Sequence, residues 1–166
     1  MRFLLRNIMK TYHFEFETNL PIPLAEAWDF FSSPLNLGKI TPPEMNLVIT
    51  SGYTDDSKMY PGLLISYKVS PILGIKMRWV TEITHIKDNE YFIDEQRSGP
   101  YAFWQHQHHF KEIRGGVHMT DILAYAIPYG IIGRIANRLF VARKLKKVFA
   151  YRQQQIEKMF GVYRER

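Results

Sequence analysis

The chain has 166 residues, six histidines, no cysteine and a net charge of +6. Its length suits one domain with one core; the missing cysteines exclude disulfides and thiolate chemistry and fit a reducing, cytoplasmic setting; and no run of about 20 uncharged apolar residues is present to span a membrane. Apolar residues make up 46% and aromatics 14%, with ten Tyr and eleven Phe, so a globular chain rich in large, rigid surface is expected.

MRFLLRNIMK (1–10) has its apolar run broken by Arg6 and Asn7, and no small-residue cleavage site follows, so it reads as part of a cytoplasmic chain rather than an export leader. YHFEFE (12–17) alternates, with Tyr12, Phe14 and Phe16 on one face of a half-buried strand. After Pro21 and Pro23, LAEAWDFF (24–31) places Leu24, Ala27, Trp28 and Phe31 at helical spacing, and LNLGKI adds a helical turn before Pro42 and Pro43. Six strands follow at 46–50, 63–69, 75–86, 90–96, 102–113 and 117–127, separated by DDSK, SPILG, KDN, SGPY and RGG, each with turn chemistry.

Beyond Pro128 the period changes. Ile132, Ile135, Leu139, Ala142, Leu145, Phe149, Ile156 and Phe160 recur three or four apart, which predicts one long helix. The fold expected from this order is α+β: a curved seven-stranded antiparallel sheet wrapped around a long C-terminal helix, with two short helices after strand 1. A single domain spans 1–166, its core about 12–160. A sheet that curls around a helix leaves a cavity.

With these elements placed, the chain resembles the SRPBCC superfamily, the helix-grip proteins that include START domains, polyketide cyclase-like proteins and the birch pollen allergen group. Carrying the resemblance are LAEAWDFFSSPLNLGKITPP, Gly99-Pro100-Tyr101 followed by Trp104, His106 and His108, and MTDILAYAIPYG at 119–130. These features are similar to a bacterial branch of stand-alone proteins, some labelled cell-division inhibitors. The superfamily hosts carriers, receptors, cyclases and dioxygenase domains, so the resemblance implies a scaffold more than a reaction.

FWQHQHHF (103–110) holds three of the six histidines. Alternation puts Trp104, His106, His108 and Phe110 on one strand face. With Arg114 and Gly115 as the turn, Phe110 faces Met119, His108 faces Asp121, His106 faces Leu123 and Trp104 faces Tyr125. With Asp88 and Asn89 as the preceding turn, Met77, Trp79, Thr81, Ile83 and His85 share a face with Phe92, Asp94 and Gln96, while Arg78, Glu82, Glu95 and Arg97 face solvent. The inner wall expected to bind a ligand is therefore Trp79, Phe92, Asp94, Gln96, Trp104, His106, His108, Phe110, Asp121 and Tyr125.

Three readings of the polar members are open. His106 and His108 at i, i+2 with Asp121 or Asp94 have the spacing of a two-His, one-carboxylate metal site, although any two histidines sharing a strand face have it too. A His108–Asp121 pair could act as general base in a cofactor-free cyclase or dehydratase. The favoured reading is a hydrogen-bonding floor for the polar end of a hydrophobic ligand, or internal pairing, with no metal and no cofactor. The expected function is accordingly non-enzymatic binding or carrying of a small hydrophobic or amphipathic molecule, with an enzyme and a regulatory interaction protein as alternatives.

Arg134, Arg138, Arg143, Lys144, Lys146, Lys147, Arg152 and Lys158 make the last helix basic. Aromatics at alternating core positions speak against a nucleic-acid platform, so no nucleic acid is expected. Peripheral contact with an anionic membrane through this helix is the functional reading, and a solvated face the plainer one.

Overall fold

The computed structural model describes residues 9–54, 57–70 and 74–165. The leader reading of the first residues, and parts of the DDSK and SPILG turns, lie outside them. Seven antiparallel strands, β1 (Thr11–Leu20), β2 (Val48–Ile49), β3 (Leu63–Val69), β4 (Met77–Lys87), β5 (Tyr91–Ser98), β6 (Phe103–Ile113) and β7 (Gly116–Ala126), form one sheet in the order β1-β7-β6-β5-β4-β3-β2. Helix α1 (Leu24–Phe31) and two 3-10 turns, Pro34–Ile40 and Pro43–Met45, follow β1. Helical segments α2 (Gly130–Ala136) and α3 (Ala142–Phe160), joined by a π turn at Asn137–Val141, make up the long C-terminal helix. This is the helix-grip architecture. No described helix is long and apolar enough to cross a membrane.

The β6–β7 hairpin has the register that its sequence predicts: Ile113 opposes Gly116, and His108 opposes Asp121. Because pleating alternates faces, Trp104, His106, His108 and Phe110 of β6 and Val117, Met119, Asp121, Leu123 and Tyr125 of β7 point inward, and all of them are buried. Tyr12, Phe14 and Phe16 extend the same face on β1, opposite Tyr125, Leu123 and Asp121.

The β4–β5 hairpin differs. Its turn takes three residues, with Asn89 at positive φ, so Lys87 opposes Tyr91. A bulge between Ile83 and His85 absorbs the extra residue. Ile83 still opposes Asp94 and Thr81 still opposes Gln96, but His85 turns outward and is exposed, whereas Ile86 opposes Phe92. The expected inward His85 is thus corrected, and the predicted strand at 46–50 shrinks to Val48–Ile49 because Asn46 takes a left-handed conformation at the end of a 3-10 turn.

The predicted helical stripe is corrected in its first half. Ile132, Ile135 and Leu139 are exposed, and the inward side of α2 and the π turn carries Gly133, Asn137 and Val141 instead. Two local constraints fix this phase. A side chain at 133 would overlap the Pro128 carbonyl, so glycine allows the helix to begin against β7. Asn137 accepts a hydrogen bond from the Tyr125 hydroxyl at 2.9 Å, satisfying two buried polar groups. Past the π turn the buried series runs Leu145, Phe149, Arg152, Ile156, as an α-helical stripe should.

Two apolar clusters flank the space between sheet and helix. One joins α1 to the middle of the sheet through Trp28, Phe31, Phe92 and Phe110; the other joins β6, β7 and the helix through Trp104, Tyr125, Leu145 and Phe149. Phe149 stacks on Phe16 of β1 at 3.9 Å between ring centroids, which docks α3 across the sheet.

Candidate functional site

Between the clusters lies a cavity of about 160 Å³. Trp79, Phe92, Asp94, Trp104, His106 and His108 line its sheet side, and Lys144, Leu145, Phe149 and Arg152 its helix side. The strand pleat supplies the first group; the phase of α3 after the π turn supplies the second.

Four of the ten expected wall residues do not reach the cavity. Phe110 packs edge-on against Trp28 in the core beneath α1. Tyr125 is buried with its hydroxyl on Asn137. Gln96 closes the β5–β6 connection: its amide donates to the Tyr101 carbonyl at 2.7 Å and accepts from the Tyr101 N–H at 3.3 Å. A Cβ at position 99 would meet the Gln96 side chain and push it out of this clamp, which delivers the buried Tyr101 ring to the cavity. Asp121 lies behind the histidines.

The polar floor is one connected group. Asp121 Oδ1 is 2.7 Å from His108 Nδ1, 3.0 Å from His106 Nε2 and 3.6 Å from Arg152 Nη1. On the other side of the rings, Asp94 Oδ1 is 3.3 Å from His108 Nε2 and 3.8 Å from His106 Nδ1. The ring nitrogens facing Asp121 are close to it but poorly aligned for hydrogen bonding. His106, His108, Asp121 and Arg152 are all buried.

Burial opposes charge on both imidazoles. At His108 the Asp121 carboxylate and then Asp94 outweigh burial and lift the imidazolium above its ordinary value. At His106 burial, helped by the charge on His108, wins and pushes it down. Burial alone would raise Asp121, but His108 and His106 hold it well below the usual carboxylate range. Asp94, His106 and His108 also offer three metal-donor atoms within 4.8 Å of one another. Above this floor, the indole N–H of Trp79 is buried on the cavity wall with no hydrogen-bond partner among the described residues.

Sequence reasoning missed Tyr101, Phe149 and Arg152 as wall residues. Arg152 had a signal: the inward series 145, 149, 156 leaves one helical position vacant, and that position is 152.

No family model and no curated relative matches this chain. Among solved structures, the ginseng major latex-like protein 151 from Panax ginseng is similar over 90% of this chain and 97% of its own, with 14% identity and a TM-score of 0.64. Ara h 8.0201 is similar over 90% and 99%, at 14% identity and TM-score 0.58. Protein CV1439 from Chromobacterium violaceum covers 91% and 98% at 12% identity and TM-score 0.66. At these identities the likeness is one of fold, and it agrees with the helix-grip architecture.

Proposed function

We propose that the chain binds a small, predominantly hydrophobic molecule carrying an oxygen-bearing polar end, held between the sheet and the C-terminal helix. The observation that carries this reading is the cavity itself, with Trp79, Phe92, Trp104 and Phe149 on its walls and the Asp94–His106–His108 group on its floor. A cavity of about 150 Å³ with apolar lining takes up a benzene-sized ring, so the space here accommodates a single aromatic ring without rearrangement. The unpartnered Trp79 N–H is a donor for an oxygen of the ligand.

The competing reading, a His108 general base, is less favoured by the geometry. A general base needs a free ring nitrogen facing substrate, yet both nitrogens of His108 face carboxylates, Asp121 at 2.7 Å and Asp94 at 3.3 Å. Such a ring holds its proton rather than taking one. Titration with a naphthalene-sulfonate dye tests binding: one equivalent should be taken up, and Trp79→Ala should weaken uptake. If native protein takes up none, the binding reading fails.

A second observation favours delivery at a membrane surface. With the π turn setting the phase, Ile131, Ile132, Ile135 and Phe140 stand on the outside of the helix, the least exposed of them at 54%. Exposed Arg134, Arg138 and Arg143 lie among them, and no Asp or Glu occurs between Asp121 and Glu157. Apolar residues interleaved with cations match an anionic lipid surface. Vesicles containing phosphatidylglycerol should co-sediment the protein in a salt-sensitive way, phosphatidylcholine vesicles should not, and an Ile132→Ser, Phe140→Ser variant should lose binding. A concentration-dependent dimer abolished by the same substitutions would assign the patch to a second copy instead.

A further inference from the structure

We infer that the cavity floor is a binding site for one divalent transition-metal ion, coordinated by Asp94 Oδ1, His106 Nδ1 and His108 Nε2. The i, i+2 histidine spacing carries little weight alone, because any strand face with two histidines has it. The fold adds two things that the spacing cannot show.

The first is a third donor at coordinating distance. With metal–ligand bonds of about 2.0 to 2.2 Å, neighbouring donors stand about 3.0 Å apart around an octahedral ion and about 3.4 Å around a tetrahedral one. Asp94 Oδ1 is 3.3 Å from His108 Nε2 and 3.8 Å from His106 Nδ1, and the three donors lie within 4.8 Å of one another, so side-chain adjustment closes the set on an ion. Strand pairing enforces this meeting, since Asp94 on β5 is directly opposite His106 on β6.

The second is a carboxylate behind the ligands. Asp121 Oδ1 lies 3.0 Å from His106 Nε2 and 2.7 Å from His108 Nδ1, the two nitrogens that point away from Asp94. Metal-bound histidines are regularly held by a carboxylate on the far nitrogen, which fixes the tautomer and strengthens the donor. One aspartate lies within reach of both far nitrogens here, off their hydrogen-bonding axes, and Arg152 Nη1, 3.6 Å away, offsets its charge. A bound ion takes the place of the His108 Nε2 proton, which leaves to solvent; with both imidazoles then neutral the group sums to one negative charge, from two carboxylates and one guanidinium, so a dication suits it.

The three donors are all on the cavity wall, so the remaining coordination positions of the ion face the cavity, open to water or to an oxygen of a bound molecule. Two imidazoles and a carboxylate suit zinc(II), iron(II) or cobalt(II) rather than magnesium or calcium.

The test uses the whole chain after chelator treatment. Zinc(II) is titrated calorimetrically, and cobalt(II) is followed by its visible absorption. One equivalent should bind at micromolar concentration or below, and magnesium should not compete. Asp94→Asn and His106→Ala should each remove binding while far-ultraviolet circular dichroism stays native, and His85→Ala and His109→Ala, outside the cluster, should leave it intact. Asp121→Asn should weaken zinc about 10- to 100-fold and shift the cobalt bands, since it acts through the histidines. No zinc uptake at 100-fold excess, or uptake unchanged in both Asp94→Asn and His106→Ala, would overturn the site. Dye uptake by the metal-free protein is measured in parallel, so that failure of the metal site is separable from failure of the ligand-binding reading.

Discussion

Strands β4 to β7 build a cluster of charged side chains on each face of the sheet, the inner one completed by Arg152 of α3. On the outer face Arg97 contacts Glu82 at 2.5 Å and Glu95 at 3.1 Å, and Gln105 donates to Glu95 at 2.9 Å. On the inner face Asp94, His106, His108, Asp121 and Arg152 contact one another over similar distances. The contacts look alike, yet their energetics differ. The outer Arg97 side chain is 44% exposed, so water screens the attraction and takes over if one partner is lost. The inner Asp121 side chain is 5% exposed, so a removed partner leaves a charge with nothing in its place.

The sharpest break of this comparison is Asp121→Ala. It strips both histidines and Arg152 of their shared counter-charge and should cost about 3 to 5 kcal/mol in urea melts. Stability unchanged by that substitution would mean that water fills the floor and that the two faces are alike.

Alkaline titration sharpens the contrast next. Burial pushes the Tyr67 and Tyr101 hydroxyls far up, and takes Tyr125 up to about 12 despite its bond to Asn137. Because folding raises these values, the stability they contribute is complete below about pH 10, the unfolded value, and drains away as pH rises beyond it. Tyrosinate absorbance should therefore show these three ionising only as circular dichroism reports unfolding. Ionisation of all ten tyrosines in a still-folded chain would contradict a dry inner face.

Trp104→Ala removes one cavity wall but no charge. It should weaken dye binding by about tenfold, near the upper end for one aromatic contact. At the small end, Glu82→Ala on the outer face should change stability by about 0.5 kcal/mol or less. Equal losses from Glu82→Ala and Asp121→Ala would erase the distinction between the faces.

How much of this the sequence carries depends on how register is set. In β6–β7 the Arg114–Gly115 turn and strict alternation fix every pairing, so His106, His108 and Asp121 can be assigned to one face from the residues alone. In β4–β5 an extra turn residue is taken up by a bulge, and nothing in the alternation says where; His85 and Ile86 exchange faces there while Asp94 keeps its place. The helix hides more. Apolar periodicity selects Ile132, Ile135 and Leu139 for the core, but the buried side is decided by a glycine that permits close approach and an asparagine that satisfies Tyr125. Periodicity counts greasy residues and is blind to both effects. Periodicity does leave position 152 open in the inward series, but it says nothing of what an arginine there pairs with, because the counter-charge sits on a strand far away in sequence.

A cavity with a charged floor on the inner face should keep its ligand through purification. Native mass spectrometry of the chain purified from its own host tests it most directly. A single small-molecule adduct at one per chain is expected, lost in Trp104→Ala protein that remains folded. A bare chain from the host that also fails to retain added naphthalene-sulfonate dye would contradict it.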